Sequence, residues 1–320
     1  MSWRNLPNWI SVQQKTWNNE QEESPEQVQL RNTRESQILT TNLGDALIPR
    51  HEILSDVSQL KLLAQLQESM EWFGEKVLEF SKELRDHMKS ISSDNPSFVS
   101  EVCCINDFGD YDEEFNVYKL EQLAKEYQDI GDTCLLVLHL EIRVHCFYHV
   151  LPIMRQGTFA SGIDMQEPDP EVLKLNKDLC ALDEAMSSSL QVRKCRYIFE
   201  GLGYLISDII ISGILYIKRI NENGIKKMCR NVFAIQQNLT NITTSREIGL
   251  DRARQYFELM YSPLEEIIDS IVEQGPQFSQ LEYSNVLSLL HRSTPGNDPT
   301  ELNTHLERLN DLFSDGAVIV

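Results

Sequence analysis

The sequence is poor in the residues that break helices and build sheets. Only 14 glycines and 11 prolines occur in 320 residues. That supply of turn-formers is too small for a many-stranded sandwich, so long helices are expected. There is no glycine-rich phosphate loop, no Gly-x-Ser-x-Gly elbow and no zinc-type cysteine spacing. The commonest signatures of nucleotide, acyl-transfer and zinc chemistry are therefore missing, and no catalytic residue or cofactor is expected. The seven cysteines, an odd number at irregular spacings, read as reduced intracellular thiols. The N-terminus lacks a positive head followed by an apolar run. No signal peptide is expected, and the sequons at Asn238 and Asn241 are expected to be silent. Bases are scarce too: 29 Lys and Arg against 49 Asp and Glu give a net charge of −20. Nucleic acid is excluded as a general partner, and any contact with an anionic surface has to be a local patch.

What is present centres on Cys195–Ile242, which holds the longest apolar run and the densest group of Lys and Arg. Gly201–Ile217, flanked by Lys194, Arg196, Lys218 and Arg219, is slightly short of the roughly 20 apolar residues a membrane span needs. Asp208 sits at its centre, where a carboxylate costs about 2.5–3.5 kcal/mol in a bilayer. Glu200, Tyr204, Ser207, Asp208 and Ser212 recur every three or four residues and draw one polar seam. A helix apolar all round except for one seam is the central helix of a bundle, so no transmembrane segment is expected. It is expected to end near Asn221–Gly224. A second helix, Ile225–Leu239, turns Met228, Val232, Ile235 and Leu239 inward. Lys218, Arg219, Lys226, Lys227 and Arg230 form a candidate basic contact patch, for an acidic partner helix or a phosphoinositide. The alternative is a salt-bridged surface.

The rest reads in order. Residues 1–45 are polar; Trp3, Trp9, Ile10 and Trp17 have no sustained period, and disorder is expected. From Ile53 to Met88, apolar residues including Leu60, Leu66, Phe73, Phe80 and Leu84 step by threes and fours, as on an amphipathic bundle helix. Residues near 90–116 read as an acidic linker, without EF-hand register and with an unactivated Cys103-Cys104 pair. A helix over 117–151, with Leu123 and Ile130 inward, is expected to stop at Pro152. On it Glu141, His145 and His149 stand four apart. The first and last are about 12 Å apart on a rigid helix, too far to share one ion, so no metal is expected there without ligands from elsewhere. Glu171–Arg193 is another helix, capped by Asp169-Pro170. Capping patterns at Thr244–Glu247 and Ser262–Glu265 start two more. Short helices over Gln280–His291 and Glu301–Phe313 close an all-α chain.

Four segments, Asp132–Pro152, Lys174–Gln191, Tyr197–Ser207 and Gly224–Glu247, closely resemble the C-terminal part of the Sec-eight (exocyst complex component four) family of exocyst subunits. Ala253–Tyr261 and Leu281–Ser293 continue the resemblance in order. It covers about Leu120 to Leu312 and, more loosely, Leu60 to Phe73. It implies a rod of stacked helical bundles of the multisubunit tethering-complex type. The implied role is a non-enzymatic subunit that works with other exocyst subunits to hold secretory vesicles at the plasma membrane before fusion. The implied location is cytoplasmic and peripheral at that membrane. The family's chain is much longer, so a fragment or short product lacking the N-terminal coiled region is expected. The expected organisation is a disordered tail (1–45), a bundle over 46–193, a second bundle over 194–316 and a free tail over 317–320. The resemblance implies a tail of the kind mammalian relatives carry, a Thr-x-Val type end that binds PDZ domains. Here Val318, Ile319 and Val320 offer a hydrophobic version, with Val318 in place of the threonine; a frayed terminus is the alternative. A peripheral phosphoinositide-binding or PDZ-ligand adaptor is the competing function.

Overall fold

Ser24 opens the first helix among the described residues. Its hydroxyl accepts from the Gln27 N–H at 3.3 Å, and Gln27 Oε1 accepts from the Ser24 N–H at 2.9 Å. This reciprocal cap, with Pro25 in the first turn, starts α1 (Pro25–Leu43). The computed structural model describes residues 24–94, 113–164, 166–296 and 298–316. The expected disorder through residue 45 therefore fails over residues 24–43, where Asn32, Glu35, Ser36 and Leu39 are buried. Trp3, Trp9 and Trp17 lie outside the described residues.

After a 3-10 turn (Arg50–Glu52), α2 (Val57–Asp94) and α3 (Glu113–Gln156) pack along each other as a long hairpin. The two helices reach into the expected linker from both sides; Cys103 and Cys104 lie outside the described residues. α2 turns Leu60, Ala64, Gln67 and Ser81 inward, a line of mixed size. Gly74 belongs to it: a Cβ there would stand 3.0 Å from the Ala124 carbonyl oxygen. This glycine is what lets the two backbones approach. Leu66, Phe73 and Phe80, expected inside, are exposed, as are Leu123 and Ile130 on α3.

Pro152 does not stop α3, which runs on to Gln156. An interior proline costs about 3 kcal/mol. Ile153 and Met154 beyond it are buried, and each contributes about 1.5–3 kcal/mol, so the sum favours continuing the helix.

α4 (Pro170–Ser187) begins as expected, with Asp169 accepting from the Glu171 N–H at 3.1 Å. The apolar stretch that follows is broken. α5 (Val192–Phe199) ends at Glu200, Gly201 adopts φ +80°, and α6 (Leu202–Ser212) passes into a 3-10 turn (Gly213–Tyr216). The helix expected to reach Asn221 thus ends at Tyr216, and Ile220 forms a lone bridge with Phe159. Gly201 is required twice over: its φ suits only glycine, and a Cβ would meet Asn32 Oδ1 of α1 at 2.8 Å.

Asn221 caps α7 (Glu222–Thr243) through the Gly224 N–H at 3.0 Å. The Thr244–Glu247 cap is not made. α8 starts at Gly249 (Gly249–Glu258), and Glu247 Oε1 accepts from the Thr243 hydroxyl at 2.8 Å instead. α9 (Leu264–Gln274) starts where expected but without a side-chain cap. α10 (Gln280–Ser293) carries a full capping box from Ser279 and Glu282, and α11 (Pro299–Gly316) packs on α9 and α10.

The fold is all-α. One contiguous set of buried apolar residues runs from Leu39 to Leu309, through both expected bundles. Two stretches, Val117–Gln156 and Val192–Tyr216, are long and apolar enough to cross a membrane, and both lie mostly inside the fold. Lys194, expected as a flank of such a span, is itself buried, bonded to Gln67 and paired with Glu68 and Glu71 of α2.

Candidate functional site

The polar seam is where α1 docks. Ser36 of α1 donates to Asp208 Oδ2 at 2.5 Å, and Arg31 pairs with Glu200 at 3.3 Å. Burial raises the Asp208 pKa above the usual aspartate value, with the Ser36 hydrogen bond and the Arg252 charge opposing. Beneath the seam lies a buried ionic junction. Arg143 of α3 donates to Glu35 Oε1 at 2.5 Å, to the Ile198 carbonyl at 2.9 Å and to the Glu200 carbonyl at 2.7 Å. The last two groups belong to the end of α5, where helix carbonyls lack internal partners. His139 donates to Glu35 Oε1 at 2.8 Å and stacks on Tyr197 with ring centroids 4.4 Å apart. Burial works to raise the Glu35 pKa, but the Arg143 and His139 interactions outweigh it and hold the carboxyl well below its usual range. One cation thus ties α1, the core helix and the Gly201 break together.

The hairpin carries a row of uncovered apolar side chains. On α2, Leu62, Leu66, Phe73 and Phe80 are exposed beside Trp72. Their spacings of four, seven and seven place them on one face. Trp72 meets Phe73 edge to face at 5.1 Å, and Phe73 lies 5.9 Å from Tyr127 of α3. Scattered exposed apolar residues need no explanation, whereas a row of this length marks a contact surface.

The basic patch is largely neutralised. Lys226 pairs with Glu222 at 2.6 Å, Lys227 with Asp169 at 2.8 Å and Arg230 with Asp164 at 2.7 Å. Lys218 and Arg219 are exposed, and Arg219 donates to the Ser293 carbonyl at 3.4 Å. Val318, Ile319 and Val320 lie outside the described residues. The row of ligand-type residues on α3 is split. Glu141 Oε1 accepts from the Leu54 N–H, while His145 and His149 turn toward Asp178 of α4. Cys146, next to them in sequence, is buried elsewhere in the core, and burial pushes its thiol up to about 12. A buried thiol raised in this way stays protonated and unreactive.

Periodicity missed the α1 junction because α1 has few apolar residues. Its one legible signal was the Ser24-Pro25-x-Gln27 cap. The outward row on α2 was visible in sequence but was assigned to the wrong side, since large apolar residues are expected inside.

No family profile matches the chain. Among curated proteins, it is 45% identical to the mouse protein "Exocyst complex component 4" over 99% of its own length. It is also 45% identical to the human protein of that name and 40% identical to the fruit-fly one, again over 99% of the chain. The chain spans about a third of the length of these relatives. Identity this high along the whole stretch, in the order the resembling segments already followed, means that the chain belongs to the exocyst complex component 4 family.

Proposed function

We propose that the chain acts as a non-enzymatic scaffold segment of an exocyst subunit, in the tethering of secretory vesicles to the plasma membrane before fusion. The observation that carries this reading is the 45% identity over 99% of the chain. The all-helical fold agrees with it, since a scaffold needs long rigid elements and contact faces more than a pocket with convergent polar groups. Its partners are other exocyst subunits, and its place is the cytoplasm, peripheral at sites of exocytosis. The outward row Leu62, Leu66, Phe73 and Phe80 is the face through which another subunit's helix packs. An exposed apolar stripe at heptad-like spacing is what such a helix covers.

The test is co-expression of the 320-residue chain with the remaining exocyst subunits, followed by affinity capture. Recovery of defined exocyst subunits, lost with Leu66→Lys/Phe73→Lys, supports the reading. Recovery of none by a chain whose helical spectrum is intact overturns it.

A further inference from the structure

On α3 the spacing of Glu141, His145 and His149 keeps the first and last about 12 Å apart, too far for one ion. Folding replaces Glu141 in that set with a ligand from another helix. Asp178 of α4 comes opposite the two histidines, and one donor atom from each of His145, His149 and Asp178 lies within 4.8 Å of the others. His149 Nε2 stands 2.9 Å and His145 Nδ1 3.8 Å from Asp178 Oδ2. A tetrahedral ion with bonds of about 2.0–2.1 Å separates its donors by about 3.3–3.4 Å, and the two spacings bracket that value.

We propose that His145, His149 and Asp178 bind a divalent transition-metal ion of the zinc type, which pins α3 to α4. Two further observations favour it. His145 is almost fully buried, yet neither ring nitrogen has a hydrogen-bond partner, and the buried Glu141 Oε2 has none either. An imidazole left with two open nitrogens inside a core is costly, and an ion on Nδ1 satisfies one of them. The outer nitrogens also face carboxylates: Glu171 Oε2 lies 3.2 Å from His149 Nδ1, and Glu141 Oε1 lies 3.6 Å from His145 Nε2. That arrangement orients metal-binding imidazoles and raises their basicity. Three carboxylates surround two imidazoles here, and Lys174 answers only Glu171, at 2.6 Å. A dication supplies the missing positive charge. Asp178 is 41% exposed, which leaves the ion a way in and a fourth position for water.

Two histidines and one carboxylate are borderline nitrogen and oxygen donors that suit zinc better than calcium or magnesium. The test uses the 320-residue chain stripped with a chelator, then titrated with Zn²⁺ by calorimetry and with Co²⁺ by absorbance. One equivalent is expected, with a visible cobalt band and no thiolate charge-transfer band. Asp178→Asn and His149→Gln are each expected to weaken binding by more than tenfold with an unchanged helical spectrum. Glu171→Gln weakens it by about tenfold as an orienting partner. Wild-type affinity in both Asp178→Asn and His149→Gln, a thiolate band, or a folded chain that takes up no zinc overturns the proposal.

Discussion

Glu35→Ala is the sharpest probe of the fold, because it removes the carboxylate on which the α1 junction turns. Glu35 and Arg143 side chains are 4% and 2% exposed. Without the carboxylate, Arg143 keeps only backbone carbonyls, at 2.7–3.1 Å, and its charge stays buried without a counter-ion. Breaking such a pair from one side costs about 3–5 kcal/mol. Glu35→Gln keeps the shape and one acceptor, so about 1.5–3 kcal/mol is expected from the lost charge-assisted hydrogen bonds. Glu35→Leu combined with Arg143→Met replaces charge by apolar volume and should recover most of the loss. Urea unfolding followed by circular dichroism measures each value, and limited proteolysis across residues 44–56 reports whether α1 has undocked. The pH dependence has a definite sign. Glu35 is depressed in the folded chain, whereas an unfolded glutamate takes its proton near pH 4.3, so its stabilisation is full above about pH 4.3 and is lost as pH falls further. Wild type therefore loses more stability on acidification than Glu35→Ala does. A Glu35→Ala protein within about 1 kcal/mol of wild type at neutral pH would refute the reasoning.

Other perturbations separate the remaining claims. Gly201→Ala meets both the φ of +80° and the Asn32 contact, and should cost more than about 1 kcal/mol; an unchanged thermal midpoint contradicts the close approach of α1. Leu66→Lys/Phe73→Lys alters exposed positions, so stability should shift by no more than about 1 kcal/mol. A large loss in the same unfolding measurement means that the row is internal. If the basic cluster meets anionic lipid, the contact runs through Lys218 and Arg219, each exposed base being worth about 1 kcal/mol at such a surface. Neutralising both should abolish flotation with phosphoinositide vesicles. Neutralising Lys226 together with Glu222 should leave it unchanged, and the reverse pattern sinks the assignment.

Local chemistry settled a good deal by itself. Scarce glycine and proline dictated an all-α chain. Asp169-Pro170 marked a helix start, and the seam through Asp208 showed that the apolar stretch had to face a partner helix; Asn221, read as the end of one helix, caps the next. The collinear segments from Asp132 to Ser293 carried the family. The partner on the seam was decided only by folding. α1 has few apolar side chains and is held by contacts between residues more than a hundred positions apart, Glu35 to Arg143 and Ser36 to Asp208. Periodicity reports which side of a helix prefers to be dry, and carries no record of a polar group whose partner lies that far along the chain. The same limit explains the hairpin and the His145–His149–Asp178 cluster. Close approach to α3 required Gly74 on the inside of α2, while Leu66, Phe73 and Phe80 were left outside. Asp178 became a neighbour of the two histidines only when α4 was laid against α3.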